Sequence, residues 1–224
     1  MKERPLVSVI IATYNRSDIL ISRSVASVLN QTYKNLELIV VMDDCTDDTK
    51  KKLRAISDKR LKTYELNKGY QYPTGRQGWY VAGVPPMNKG LDLASGDLIA
   101  HLDDDDEFLH NHIEIAVKMH TTTGCDFSYS LTEDIHEDTL EPLGICGASP
   151  SAPRMIVPHC TWVYDAKYKH EKYSDEGKMA ADKELWTRLY NKGLKFEFID
   201  LVTARHYTNQ KSPPPPKWYG REEG

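Results

Sequence analysis

Two uninterrupted apolar runs near the start of the chain set its architecture. Residues 6–12 and 36–42 are rich in Val, Ile and Leu with little polar alternation, the pattern of strands covered on both faces of a parallel sheet. Between them Ile19, Leu20, Val25, Val28 and Leu29 recur at helical spacing over residues 17–30, with Ser17 placed to cap the start. A polar helix over 46–56 keeps Leu53 and Ile56 three apart on one face, and 61–66 reads as a third strand. Residues 67–83 hold four glycines, one proline and four aromatics with no sustained period, so they read as a long loop. Residues 87–94 then predict a helix ended by Gly96, and 98–102 a fourth strand.

This strand and helix alternation predicts an α/β fold, a Rossmann-like, mostly parallel sheet flanked by helices. The second half is less regular and reads as a smaller mixed region. A hairpin is expected from 127–131 and 135–140, a helix over 181–191 and one or two short strands over 196–207. Four consecutive prolines in 212–217 favour an extended polyproline stretch. The expected organisation is one domain over 1–211, divided at 107/108 into two halves, followed by a Pro-rich tail over 212–224.

Composition narrows the partners. At 224 residues with 40% hydrophobic content the chain can bury one substantial core. A net charge of -4 without a clustered basic face argues against nucleic acid. No apolar run approaches the ~20 residues that span a bilayer, and the charged start lacks the apolar region and cleavage site of a signal peptide. The expectation is a cytoplasmic chain. Cys45, Cys125, Cys146 and Cys160 are widely spaced with no C-x-x-C pair, which points to reduced thiols instead of a zinc site or disulfides.

The candidate chemistry lies at strand ends. In open α/β sheets, ligands bind beyond the carboxyl ends of the strands. Thr13-Tyr14-Asn15-Arg16 follows the first strand, Asp43-Asp44 the second and Asp103 to Asp106 the fourth, so a parallel sheet gathers all three on one edge. Carboxylates crowded in a crevice repel and raise one another's pKa. A divalent cation relieves that cost, and Mg²⁺ or Mn²⁺ is commonly held by one or two carboxylates plus ligand phosphates. The plain alternative is an acidic turn capping a helix after Glu107.

The motifs VSVIIATYNR (7–16), ELIVVMDD (37–44), NKGLDLASGD (88–97) and LDDDD (102–106), in this order, resemble family 2 glycosyltransferases with the GT-A fold. The resemblance resumes at ADKELWTRL (181–189), similar to the family's E-D-x-x-L-W-x-R-L helix. It implies an inverting transferase with a nucleotide-sugar donor, UDP-sugar favoured, a divalent cation and a glycan or lipid-linked glycan acceptor, with peripheral membrane association possible. Ala12 and Tyr14 match positions lining base and ribose, Asp44 the aspartate that bonds the base, and Arg76 or an adjacent position a nucleotide-holding arginine. Asp105 matches the direct metal ligand, while Asp103 or Asp104 reaches ribose or metal-bound water. Asp182 matches the catalytic base, although a residue at a helix start can equally be a plain N-cap. His206 matches a late histidine that approaches metal or diphosphate.

For His159 and Trp162, lining an acceptor pocket and packing in the core are equally open, since an aromatic face stacks on sugar or on neighbours. Trp79 and Tyr80 are candidates for a lid. Cys45-Thr46 stands where the family has glycine and serine, and Ala181 where it has glutamate. A sugar-nucleotide pyrophosphorylase is disfavoured because no Gly-rich loop follows the first strand, and no G-x-G-x-x-G supports a dinucleotide oxidoreductase. A nucleotide-sugar binder without catalysis is opposed by the presence of both Asp105 and Asp182.

Overall fold

Both faces of the strand at the start of the chain are buried, and the rest of the molecule is arranged around that fact. The computed structural model describes residues 3–66, 71–147 and 157–209. Strand β1 (Val7–Thr13) pairs in parallel with β2 (Leu36–Asp43) on one side and β4 (Leu98–His101) on the other, and β3 (Leu61–Leu66) extends β2. Val7, Val9 and Ile11 enter one core layer, with Leu38 and Val40 beside them. Ile10, Ile39 and Val41 enter the other. The unbroken apolar runs are therefore two cores read alternately, and each fully buried Ile or Val contributes about 1.5–3 kcal/mol.

The second layer is closed by α5 (Val84–Leu93), which lies directly on β1 and β2. Gly90 makes this approach possible: a Cβ there would sit 2.3 Å from Ile10 Cγ2. The first layer is covered by α6 (His112–Thr123), which ends at left-handed Gly124, and by the helical stretch α1 (Ser17–Ile19), a π-helical segment (Leu20–Val25) and α2 (Ala26–Leu29). Ser17 does not cap this stretch. The N-cap position falls on Arg16, and Ser17, inside the first turn, donates its N–H to Asp47 Oδ2 at 3.1 Å, ahead of α3 (Thr49–Arg54).

The sheet among the described residues has nine strands in the order β3-β2-β1-β4-β8-β6-β9-β5, with β7 on β6. Strands β6 (Phe127–His136) and β9 (Phe196–Thr208) run with the first four, while β5 (Glu107–Phe108), β7 (Pro142–Cys146) and β8 (Val163–Asp165) run against them. The sheet is thus mostly parallel and flanked by helices, as the alternation predicted.

Several expectations change here. Residues 127–136 form one strand, and its hairpin partner is β7, not 135–140. The polar Glu133 and Asp134 that read as a turn are met across β9 by Arg205 at 3.0 Å and His206 at 3.3 Å. Residues 196–207 fall in one strand whose register with β6 shifts near Leu131, a bulge that breaks the period of two. The stretch 71–83 contains α4 (Gly75–Tyr80) and is not loop throughout. Glu107 starts a strand, so the acidic run caps no helix there. The 181–191 helix is found as α7 (Ala181–Asn191). Residues 67–70 and the polyproline segment lie outside the described residues. All four cysteines are free, Cys125 and Cys160 buried and the other two half-buried. No described helix is long and apolar enough to cross a membrane.

Candidate active site

The carboxyl ends of β1, β2 and β4 open into a cleft of ≈ 1050 Å³. Two of these ends turn sharply through left-handed residues, Asn15 (φ 52°) and Asp44 (φ 54°), the kind of non-glycine residue that tolerates this conformation. At Asp44 the turn interrupts strand alternation, so Asp43 and Asp44 both line the cleft. Asn15 Oδ1 accepts from Thr46 N at 2.7 Å and Asp47 N at 3.2 Å, locking the two turns together. Ala12 and Tyr14 complete this wall, Tyr14 with 59% of its surface free.

The four aspartates have four different environments. Asp103 Oδ1 meets His159 Nδ1 at 3.1 Å. Asp104 is largely buried, and burial, followed by the neighbouring Asp105 charge, raises its pKa to about 6 against an opposing pull from Arg16. Asp105 pairs with Arg16, and its carbonyl accepts from Arg23 Nη1 at 2.7 Å. Arg23 lies in the π-helical segment with its guanidinium 3.4 Å from the Tyr207 ring centroid, which fixes the loop from behind. Asp106 is buried and accepts from Tyr207 N at 3.0 Å, while burial and the charge of Asp103 push its pKa to about 8. Its carboxyl group faces the β5–β9 ladder and does not line the cleft.

Among the described residues, no group of three or more His, Cys, Asp or Glu side chains forms a metal cage. The arrangement instead fits a cation held by one or two carboxylates and completed by ligand phosphates and water. The raised pKa of Asp104 records its burial first and the neighbouring Asp105 charge second, and a cation at the site would favour the ionised form against both.

The same cleft is also lined by His159, Tyr173 and Asp182. Asp182 lies in the first turn of α7, but the N-cap is Ala180 and no side chain caps it, so the plain capping role does not apply. Trp79, with 69% of its surface free, and Tyr80 rise over the rim on α4, their centroids 5.5 Å apart.

Of the residues singled out by sequence, Ala12, Tyr14, Asp44, Asp103, Asp104, Asp105, His159, Trp79 and Asp182 share the cleft. Three do not line it. Trp162 is 1% exposed, packs edge-on against Phe127 at 5.4 Å and donates to Val157 O at 3.3 Å, a core residue and not part of an acceptor pocket. Arg76 lies over the Tyr80 ring at 5.6 Å on the outer side of α4. His206 turns Nδ1 to Asp134, and that hydrogen bond, against the effect of burial, raises its pKa to about 9. Its charge acts on Asp103 and Asp106 from behind. Arg16, Arg23, Asp43, Tyr72 and Tyr173 received no role from the sequence. Of these, Arg16 and Asp43 stood inside the quoted strand-end motifs, while Tyr72, which donates to Asp43 Oδ2 at 2.5 Å, carried no pattern.

Residues 8–142 match the sequence profile of Glycosyl transferase family 2. The chain belongs to this family. It is 38% identical over 137 residues to the Escherichia coli UDP-Glc:alpha-D-GlcNAc-diphosphoundecaprenol beta-1,3-glucosyltransferase WfgD, covering 60% of this chain and 49% of that protein. To the glucosyltransferase WfaP of the same organism, with the same printed activity, it is 32% identical over 209 residues, covering 88% and 75%. Several relatives are much longer, so that the chain spans about half of their length or less. Among solved structures, the mannosyltransferase PcManGT from Pyrobaculum calidifontis, in complex with GDP-Man and Mn2+, superposes with a TM-score of 0.68 at 17% identity, covering 92% of this chain and 57% of that one. The fold of this family 2 member is accordingly GT-A.

Proposed function

We propose that this family 2 member transfers a sugar from a UDP-sugar to a hydroxyl of a lipid-diphosphate-linked glycan, inverting the anomeric carbon in one displacement. One observation carries the reading: Asp44, Asp103, Asp104, Asp105 and Asp182 line a single cleft of ≈ 1050 Å³. The relatives support the substrate class, since their printed activities join UDP-Glc to a diphosphoundecaprenol-linked sugar with a β linkage. UDP-glucose carries an α linkage, so a β product requires inversion.

The roles follow from position. Tyr14 offers an open ring face to the base, Ala12 leaves room beside it, and Asp44 accepts from the base N–H. Asp105 is the principal carboxylate for Mn²⁺ or Mg²⁺, with Asp103 and Asp104 serving ribose and metal-bound water. When bound, the cation neutralises charge developing on the departing diphosphate. Arg16, released from Asp105, turns to the same diphosphate. Asp182 takes the proton of the acceptor hydroxyl as it attacks. Trp79 and Tyr80 close over the donor and exclude water that would hydrolyse it. Arg76 and His206 act at one remove, through Tyr80 and through the field behind the aspartates. Residues 1–107 carry the donor and 108–211 the acceptor, as one domain at a membrane face.

The test is an assay with UDP-glucose, Mn²⁺ and a polyprenyl-diphosphate-linked N-acetylhexosamine, with the product linkage read by NMR. A β-linked product is expected. Absence of UDP binding by calorimetry, together with absence of transfer, would overturn the reading.

A further inference from the structure

Along the cleft wall, a line of hydrogen bonds joins four segments that the sequence keeps apart. His159 Nδ1 lies 3.1 Å from Asp103 Oδ1, and its Nε2 lies 2.7 Å from the Tyr173 hydroxyl. Tyr173 is 5% exposed. Its main chain is clamped from both sides by Asn88 of α5, whose Oδ1 accepts from Tyr173 N at 2.8 Å and whose Nδ2 donates to Tyr173 O at 3.0 Å. His101 stacks on the His159 ring at 5.0 Å, which fixes the imidazole plane.

The direction of the line follows from acceptor chemistry. An ionised carboxylate can only accept, so His159 Nδ1 carries a proton and donates to Asp103 in either protonation state of the ring. Nε2 then exchanges its bond with the Tyr173 hydroxyl, which serves as donor or acceptor as required. The consequence falls on Asp103. One carboxylate oxygen is tied inside the protein, while 43% of the side chain stays open to the cleft. A carboxylate held by one oxygen has its plane set before ligand arrives.

We propose that Tyr173, acting through His159 and held by Asn88, is a positioning residue that fixes Asp103 for the donor nucleotide. This rests on the donor-site reading above and adds a residue to it. Removing the Tyr173 hydroxyl unlocks the imidazole and with it the Asp103 carboxylate, so the effect on donor binding runs through Asp103.

A double-mutant cycle read by calorimetry with UDP and Mn²⁺ tests this. Tyr173→Phe should weaken binding about tenfold, within the range for outer-shell partners of a site carboxylate. In an Asp103→Ala background the same change should cost less than about twofold, because the acceptor it acts through is gone. His159→Gln, which loses the Nδ1 donor, should show the same dependence on Asp103 and serves if Tyr173→Phe lowers the melting temperature enough to unfold the chain. Full loss from Tyr173→Phe persisting in the Asp103→Ala background, or unchanged binding in Tyr173→Phe itself, would overturn the positioning chain while leaving the donor site in place. Failure of the unaltered chain to bind UDP with Mn²⁺ would remove the donor reading and this inference together.

Discussion

The two halves of the molecule reach the same cleft by different routes. Strands β1 to β4 all run in parallel, and β1, β2 and β4 deliver their polar residues to one edge because parallel strands point their carboxyl ends the same way. Strands β6, β8 and β9 interleave out of chain order, and β9 pairs β6 in parallel across more than sixty residues of chain. The first half therefore places Asp44 and Asp103 to Asp105 by the shared direction of its strands, β4 pairing β1 across about ninety residues. In the second half, Asp182, His159 and Tyr173 lie outside the parallel strands and are placed by packing of α7 and the segments between strands. A half built from aligned strand ends should tolerate surface change and fail at close approaches, whereas a half built from packed segments presents chemistry separable from donor binding.

The largest effect expected from this contrast is at Asp182. Asp182→Asn should lower turnover by about 10²–10⁴-fold, the usual contribution of a general base, with UDP affinity in calorimetry unchanged. Near-normal turnover would mean that the second half does not supply the base. Asp105→Ala is the opposite case: Mn²⁺-dependent UDP binding should fall at least about tenfold, and retained binding would move the metal to another carboxylate.

Next in size is Gly90→Ala. The added methyl would press on Ile10 beneath α5, and chemical denaturation should show a loss of about 1–3 kcal/mol. Asp104→Asn tests the cost of the acidic cluster itself. Because the folded pKa is raised from 3.8 to about 6, the group favours the folded state at low pH and opposes it once the pH rises through that window. The variant should gain about 1 kcal/mol at pH 7 and nothing near pH 3. UDP–Mn²⁺ affinity of the unaltered chain should decline as pH falls below about 6, and that dependence should vanish in the variant. The smallest effect belongs to β7, where exposed Ile145→Thr should stay within about 0.5 kcal/mol.

What could be read in advance followed the same division. The buried runs at 6–12 and 36–42 declared strands because both faces were apolar, and the acidic run declared a ligand edge because it followed such a strand. The 181–191 helix was legible from Leu185, Trp186 and Leu189, all of which point into the core. The 127–140 hairpin was misread because Glu133 and Asp134 are polar for a reason outside their own segment, namely Arg205 and His206. Trp162 was open between pocket and core because residue type cannot tell which side of a sheet an aromatic ring takes. Tyr173 carried no local signal at all, since its partners lie 14 and 85 residues away.

The sequence alone determined the α/β class and the acidic strand-end edge that lines the cleft, because hydrophobic period and strand-end position are local properties of the chain. Only the tertiary structure divided those aspartates into unequal groups. Burial raised the pKa of Asp106 and its side chain turned to the β9 backbone, Arg16 took Asp105, and His159 took Asp103. Four identical side chains in a row differ only in what the fold brings against them, and desolvation and distant hydrogen bonds are not written in their own neighbourhood.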